Sequence, residues 1–202
     1  CAFQYEEVVP DVLTISKALG GGSRAIGSMI TSKELFKTAY GKREASGLHS
    51  TTFGGLGHSC AVAVEALNIL GDPNFIKEVR EKSEYLKKSL QNLQSKYPTK
   101  ITAIKGLGLM QGIEFNFRNI FKESSFEIPD NPLIDTFEKA MMAALIRTLY
   151  EKYDIIAHFS DSDINVLHVM PPLIVEKEHL DKFVEAIDSI LQNGFVSMAT
   201  NF

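Results

Sequence analysis

Residues 10–22 read PDVLTISKALGGG. Within this segment Val12–Ile15 is a short apolar run rich in β-branched residues, which is typical of a buried strand. Lys17 follows almost directly, and the three glycines at residues 20–22 allow the backbone to turn tightly. The segment therefore predicts a lysine placed between the end of a strand and a glycine turn.

The position of Lys17 suggests a chemical role. A lysine at the end of an apolar strand is expected to be partly desolvated, which disfavours its ammonium form. A lysine that is neutral part of the time can form a Schiff base with an aldehyde. Taken alone, the same residues also fit a surface lysine before a turn, and both interpretations stay open at this point. The segment does not fit a phosphate-binding P-loop, because Ser28 stands where that motif needs a lysine.

A second candidate site is the loop at residues 49–55, which reads HSTTFGG. Thr51 and Thr52 offer two hydroxyl groups just before a predicted helix, and backbone N–H groups at a helix start favour anions. These residues could bind a phosphate. They are also compatible with an ordinary Ser/Thr turn, and the segment alone does not decide between the two.

Composition and charge exclude several classes of function. The chain has 202 residues, 45% of them hydrophobic and 23% charged, which predicts a globular chain of one or two domains. A net charge of -4 gives no basic stripe for nucleic acid. No apolar run approaches the roughly 20 residues of a membrane helix. The two cysteines, Cys1 and Cys60, form no disulfide framework and favour a cytoplasmic, reducing compartment. The five histidines lie at no metal-ligand spacing, so no metal site is predicted.

Hydrophobic periodicity and turn residues predict mixed strands and helices. A domain boundary is predicted at residues 71–73, which read GDP. The predicted strands lie at residues 12–15, 25–31, 101–105 and 109–117, and near Ile155 and Val166. The predicted helices lie at residues 32–39 and 59–70, from 73 to the Tyr97–Pro98 break, and at residues 133–153 and 177–191. Residues 122–131 are predicted to be a loop.

Taken together, these residues resemble the class III pyridoxal-phosphate-dependent aminotransferases, which include ornithine, acetylornithine and 4-aminobutyrate aminotransferases. Residues 10–22 are similar to the segment that carries the cofactor lysine of that family, and residues 49–55 are similar to its phosphate-binding loop. Residues 105–114, KGLGLMQGIE, resemble its RGxGLMxGIE strand. Residues 169–173, VMPPL, resemble the stretch before its last helix. The resemblance covers nearly the whole chain, with the motifs in the same order.

The resemblance implies an α/β protein of fold type I. In that fold a large domain holds a mostly parallel sheet, and a smaller α+β domain follows it at the C-terminal end. Residues 1–72 are then expected to be the last part of the large, cofactor-binding domain. Residues 73–202 are expected to form the small domain.

The resemblance also implies an activity. It makes Lys17 the residue that holds pyridoxal 5'-phosphate as a Schiff base and moves a proton during amino transfer. It makes Thr52, with Thr51 beside it, the group that binds the cofactor phosphate of the neighbouring subunit in a homodimer. The expected reaction transfers an amino group from an amine or ω-amino acid to a 2-oxo acid. An aminomutase or decarboxylase of the same family, and a non-catalytic dimerisation or scaffolding fragment, stay open as alternatives.

Two departures from the family pattern affect the expected activity. The family's other cofactor-binding residues are expected upstream of Cys1, so this piece alone is expected to be inactive and to expose apolar surface. In addition, His168 stands where many members carry an arginine that clamps the substrate carboxylate. A histidine cannot make that fork and is only partly charged near neutral pH. His168 is therefore either a substrate-binding residue of altered specificity or a packing residue. In the first case, the expected amino donor is a diamine or another ω-amino compound.

Overall fold

The structure is a computed structural model, and it describes residues 2–45, 47–122 and 134–193. The chain divides into two compact units, which comprise residues 1–76 and residues 77–202. Most of the predicted loop at residues 122–131 lies outside the described residues. Among the described helices, none is both long and apolar enough to cross a bilayer.

In its described residues the first unit contains two strands and two complete α-helices. These elements are β1 (Val12–Ile15), β2 (Ser28–Thr31), α1 (Lys33–Tyr40) and α2 (Gly57–Gly71). Short 3₁₀ helices cover Ala2–Tyr5, Lys17–Gly20 and Arg43–Ala45. β1 and β2 pair antiparallel, with Val12 opposite Thr31 and Ile15 opposite Ser28. The predicted strand at residues 25–31 is therefore shorter than expected, because β1 is only four residues long and offers no partner before Ser28.

The described part of the second unit is a four-stranded sheet with helices. Its elements are α3 (Pro73–Lys96), which begins at the end of the first unit, β3 (Ile101–Leu107), β4 (Met110–Phe115), α4 (Phe117–Lys122), α5 (Ile134–Tyr153), β5 (His158–Phe159), β6 (Val166–Val169) and α6 (Lys177–Asn193). The strand order is β3-β4-β6-β5, and every neighbouring pair is antiparallel. The parallel pairing expected for the large domain therefore has no example among the described residues.

The core of the second unit lies between the sheet and its helices. On α3, Leu86, Leu90 and Leu93 recur at helical spacing and are all buried, which confirms the amphipathic helix predicted there. Their partners come from the sheet, α5 and α6. The largest fully buried side chains among them are Ile101, Ile113, Phe115, Met142, Leu145, Leu149, Leu167 and Ile187.

Two predictions in this unit were wrong at element ends. The strand predicted for residues 109–117 stops at Phe115, because Asn116 caps a helix that the periodicity did not reveal: its Oδ1 accepts a hydrogen bond of 3.0 Å from the Asn119 N–H. The strand predicted near Ile155 begins instead at His158. Asp154 ends α5 in the left-handed region at φ 57°, and the Ile155 N–H donates back to the Leu149 carbonyl at 3.0 Å.

Burial differs sharply between the two units. In the described part of residues 1–76, the buried hydrophobic side chains are Leu19, Ala63 and Ala66. Many large apolar side chains of the same unit are exposed, including Val9, Val12, Ile30, Phe36, Leu48, Phe53, Val64, Leu67 and Ile69. Such exposed apolar surface was expected for this part of the chain from its resemblance to the larger family. The first unit therefore has apolar surface that its own described residues do not cover.

Candidate functional site

Lys17 lies at the junction that the sequence predicts. It follows β1 after a single residue, Ser16, and it is the first residue of the 3₁₀ helix Lys17–Gly20. Its backbone has φ 55°, in the left-handed region, which costs an L-residue about 1–2 kcal/mol. A non-glycine residue held in this region is found often at functional sites, where the surrounding structure maintains it.

Hydrogen bonds and packing fix the turn after Lys17. The Leu19 N–H donates to the Ser16 carbonyl at 3.2 Å, and the Gly21 N–H donates to the Ala18 carbonyl at 3.0 Å. Gly21 is itself left-handed, at φ 58°. Leu19 is buried while Lys17 and Ala18 are exposed, so the turn is anchored on one side and presents the lysine on the other.

The predicted desolvation of Lys17 is not found in this chain. The residue is exposed, and no hydrogen bond or ion pair to its side chain occurs among the described residues. The expectation was wrong because β1 pairs with a single neighbour and its side chains, from Val12 to Ile15, are themselves exposed or only half-buried. The apolar environment that a buried strand would give Lys17 is therefore absent from this part of the protein.

Thr51 and Thr52 lie in the loop that leads to α2, and both are exposed. The Gly54 N–H donates to the Thr51 carbonyl at 3.1 Å, which closes a turn around Thr52. At the start of the loop, the Tyr40 hydroxyl is hydrogen-bonded to His49 Nδ1 at 3.0 Å, so the loop is tied to the end of α1. The two threonine hydroxyls thus stand on the surface, open to a ligand.

The structure does not join the two predicted sites directly. Lys17 makes no hydrogen bond to either threonine in the part of the chain that the structure describes. All three residues belong to the first unit, and all three are exposed.

His168 lies on β6 in the second unit, and its side chain is half-buried. It stands opposite Gly112 of β4 on one side and His158 of β5 on the other. The two imidazole rings are 5.9 Å apart at their centroids, and His158 stacks on Phe159 at 5.5 Å. Sequence reasoning missed His158. Only the pairing of β5 with β6 places His158 opposite His168, and residue spacing in the sequence does not reveal that pairing.

A cavity of about 590 Å³ adjoins His168 within the second unit. Its walls are mainly apolar and come from the end of α5, the stretch after β6 and the start of α6. The apolar lining includes Ile155, Ile156, Met170, Pro171, Ile174 and Phe183. Polar residues also line the cavity, including Glu176 and His179, and both are exposed.

One cluster of described residues has the right atoms for a metal ion. Ligand atoms of Glu176, Glu178 and His179 lie within 4.8 Å of one another at the start of α6. All three side chains are exposed. Exposed acidic groups of this kind are common without an ion, so the cluster does not constitute a metal site.

Comparison with known proteins identifies the family. The family model described as aminotransferase class-III matches residues 1–191. Acetylornithine aminotransferase of Methanocaldococcus jannaschii is 34% identical over 190 residues, which cover 94% of this chain and 39% of that protein. Acetylornithine aminotransferase of Bacillus cereus is also 34% identical, over 97% of this chain and 43% of that protein. The chain thus spans about two fifths of the length of these relatives.

Solved structures support the same fold. The ornithine aminotransferase of Toxoplasma gondii matches 98% of this chain with a TM-score of 0.75 at 22% identity, and the chain covers 40% of it. An (S)-enantioselective omega-transaminase from Thermomicrobium roseum matches 95% with a TM-score of 0.75 at 23% identity, and the chain covers 39% of it. These likenesses confirm the α/β, fold type I class predicted from the sequence. The chain belongs to the class III aminotransferase family.

Proposed function

We propose that the protein is a transaminase that moves an amino group from an amine or ω-amino acid to a 2-oxo acid. The observation that carries this proposal is Lys17, an exposed primary amine held between β1 and a glycine turn in a class III aminotransferase chain. A relative named putrescine aminotransferase, 37% identical over 59% of this chain, supports a donor with an amine on an aliphatic chain.

Pyridoxal 5'-phosphate is the proposed cofactor, and the residues present fit it chemically. Lys17 offers an amine for its aldehyde, while Thr51 and Thr52 offer hydroxyls for its phosphate. When bound, the cofactor supplies an electron sink for the electrons of the substrate's broken C–H bond. Lys17 Nζ would hold the cofactor, and as a free amine it would be the group that accepts and returns the proton of the substrate's α-carbon.

The proposed enzyme works as a homodimer with shared active sites. Thr52 would donate its hydroxyl to the cofactor phosphate bound at Lys17 of the neighbouring subunit, with Thr51 beside it. The exposure of both threonines supports this role, because a side chain that serves another subunit must lie on the surface of its own. The exposed apolar residues of the first unit support association with further protein surface as well.

The proposal assigns residues 1–72 to the large domain and residues 73–202 to the small domain. The exposed apolar side chains of the first unit support this assignment, because a large domain would cover them with residues beyond this chain. Cys60 is a free and exposed thiol, which supports a reducing, cytoplasmic compartment.

His168 is the proposed substrate-binding residue of the small domain. Its half-buried imidazole faces a cavity of about 590 Å³ that has room for an aliphatic substrate. A single imidazole lacks the bidentate geometry with which arginine grips a carboxylate, which favours donors that carry an amine rather than a second carboxylate.

The aminomutase, decarboxylase and scaffolding alternatives have less support. The relatives and solved structures described above are named aminotransferases or transaminases, and none of these names denotes an isomerase or a lyase. A scaffolding protein has no physical need for an amine at Lys17 held in a left-handed backbone.

An absorbance experiment tests the proposal. The full-length protein is mixed with pyridoxal phosphate, and a visible band that borohydride removes is expected from a lysine-bound cofactor. Lys17→Ala should abolish this band, whereas Lys33→Ala, at an exposed lysine of the same unit, should preserve it. A band that survives Lys17→Ala unchanged would refute the role of Lys17 and favour the scaffolding alternative.

A further inference from the structure

The buried hydrophobic residues of the first unit meet at one place. Among its described residues these are Leu19, Ala63 and Ala66, and Leu19 lies in the turn that follows Lys17. Ala63 and Ala66 lie on α2, against which the 3₁₀ helix Lys17–Gly20 packs. The buried hydrophobic side chains of the unit therefore lie on two elements that pack against each other, one of which begins at Lys17.

The contact between α2 and the glycine turn is close. A Cβ built on Gly21 would lie 3.5 Å from Ala66 Cβ and 3.7 Å from Val62 Cγ1, which is ordinary van der Waals contact. The space between residue 21 and residue 66 thus holds a single methyl group and little more. A side chain at residue 66 that adds clearly more than one atom, such as valine or leucine, must push the turn away from α2 or distort the helix.

A displaced turn would carry Lys17 with it. Leu19 is buried and donates its N–H to the Ser16 carbonyl at 3.2 Å, so the residues on both sides of Lys17 are joined through the turn. Lys17 sits at φ 55°, a conformation that the surrounding packing has to maintain. If the turn lifts off α2, the lysine backbone can relax to a conformation with negative φ, and its Nζ moves to a new place.

We propose that Ala66 is a positioning residue for Lys17. Its methyl group is small enough to let the glycine turn pack against α2. This packing contact holds the lysine backbone in its left-handed conformation. The inference rests on the proposed function of Lys17. It adds a residue on a different element, far along the chain and with no reactive group of its own, to the set on which the chemistry depends.

The test replaces Ala66 in the full-length protein with Val and with Leu. Ala66→Ser, which adds one atom, is the conservative variant, and Ala61→Leu, at an exposed position of the same helix, is the matched control. Each protein is mixed with pyridoxal phosphate and then with borohydride. The rate of covalent labelling at Lys17 is followed by peptide mass, and the visible band is recorded as a function of pH. Circular dichroism and thermal unfolding report the fold.

The expected result is a loss that depends on side-chain size. Ala66→Leu should label Lys17 more slowly by about 10- to 100-fold, because a shift of about 1 Å at a reacting group costs this much. The pH at which its visible band changes should also move, which a loss of stability alone would not cause. Ala66→Val should lie between Ala66→Leu and wild type, and Ala66→Ser and Ala61→Leu should behave as wild type.

The outcomes separate this inference from the function on which it rests. If the wild type is not labelled at Lys17, the proposed function is wrong. If the wild type is labelled and folded Ala66→Val and Ala66→Leu are labelled equally fast with an unchanged pH profile, the positioning role is wrong. If both variants fail to fold while Ala61→Leu folds, Ala66 serves general packing and the inference is also wrong.

Discussion

His158 and His168 lie directly opposite each other on the paired strands β5 and β6, with their ring centroids 5.9 Å apart. Directly opposed residues of an antiparallel pair share one face of the sheet. The residue that the sequence marked as an unusual replacement for arginine is therefore one of two neighbouring imidazoles. His158 is the more exposed of the two.

Replacement of His168 tests its role in substrate binding. His168→Arg restores a bidentate guanidinium, so we expect the KM for a dicarboxylate acceptor such as 2-oxoglutarate to fall by about tenfold, the usual effect of an added charged hydrogen bond. The kcat should change little. Steady-state kinetics of the full-length enzyme with a series of acceptors provides the measurement.

The control for this prediction is His179→Arg, which adds the same charge at an exposed residue on another wall of the cavity. It should leave the KM for dicarboxylates as it is. If His168→Arg also changes no KM but lowers the melting temperature, His168 is a packing residue, and the substrate-binding proposal for it is wrong.

Hybrid dimers test whether Thr52 serves the neighbouring subunit. Lys17→Ala and Thr52→Ala homodimers should each lose activity. When subunits of the two variants are mixed, a shared site regains one intact Lys17 and Thr52 pair, so activity should return to about one quarter of the wild-type level at statistical mixing. Activity is measured after the subunits of the two variants have been exchanged in mild denaturant. Mixtures that stay as inactive as the two homodimers would show that Thr52 acts in its own subunit or not at all.

The pH dependence of stability is predicted to involve Asp188 on α6. Its carboxylate accepts hydrogen bonds of 2.7 Å from Lys96 Nζ and from the Tyr97 hydroxyl, which join α6 to α3 and the residue after it. Burial pushes the pKa of Asp188 upward, but the hydrogen bonds from Lys96 and Tyr97 outweigh it and hold the pKa below its ordinary value. The ionised form is thus the one that stabilises the fold.

The sign of the effect follows from that lowered pKa. The contribution of Asp188 is complete above the ordinary aspartate pKa of about 3.9 and is lost as pH falls through the lower folded value. Asp188→Asn should therefore lower the free energy of unfolding by about 1 kcal/mol near pH 7, after allowance for solvent screening. The difference from wild type should shrink below about pH 4. Thermal unfolding of wild type and Asp188→Asn from pH 3 to pH 7 measures this difference in stability.

An exposed ion pair provides the control for Asp188. Lys77 and Glu81 on α3 are 3.9 Å apart and largely exposed, so Glu81→Gln should change stability by less than about 0.5 kcal/mol at any of these pH values. An equal effect of Glu81→Gln and Asp188→Asn would contradict the assigned role of the α3–α6 contact.

The hairpin between β3 and β4 is predicted to depend on Gly106. This residue has φ 114°, and a Cβ on it would come within 2.9 Å of Gln111 Cα and overlap the Met110 carbonyl. Gly106→Ala should cost about 2–4 kcal/mol of stability, since it combines backbone strain with a backbone clash. Gly108→Ala, where the added Cβ meets only Ser83 Oγ at 3.9 Å, should cost about 1 kcal/mol. Urea unfolding of both variants measures the two losses of stability. Equal losses would contradict the special role of Gly106 in the hairpin.

Much of the fold was predictable because the deciding signals are local. The apolar spacing on α3 and the strand before Lys17 follow from residues close together in the chain, and both predictions were confirmed. The end of α5 at Tyr153 was predicted, but the left-handed turn at Asp154, after which the next strand begins only at His158, was missed, because such a turn at a residue other than glycine has no clear sequence signature. The exposure of Lys17 was mispredicted for a related reason: burial depends on what packs over β1, and the residues of one segment do not encode it.

The candidate site was predictable only through the family motifs. Lys17, Thr51 and Thr52 stand in motifs whose order matches class III aminotransferases, whereas His158 has no motif and enters through strand register. Ala66 carries no reactive group, and only the close approach of its helix to the glycine turn points to it.

The most direct test of the account is the site of covalent attachment. The full-length protein is incubated with pyridoxal phosphate, reduced with borohydride, digested and analysed by peptide mass. The account predicts one labelled lysine, Lys17, in the peptide that contains residues 10–22. Labelling spread over the exposed lysines of the chain, or concentrated at any lysine other than Lys17, would contradict the central claim.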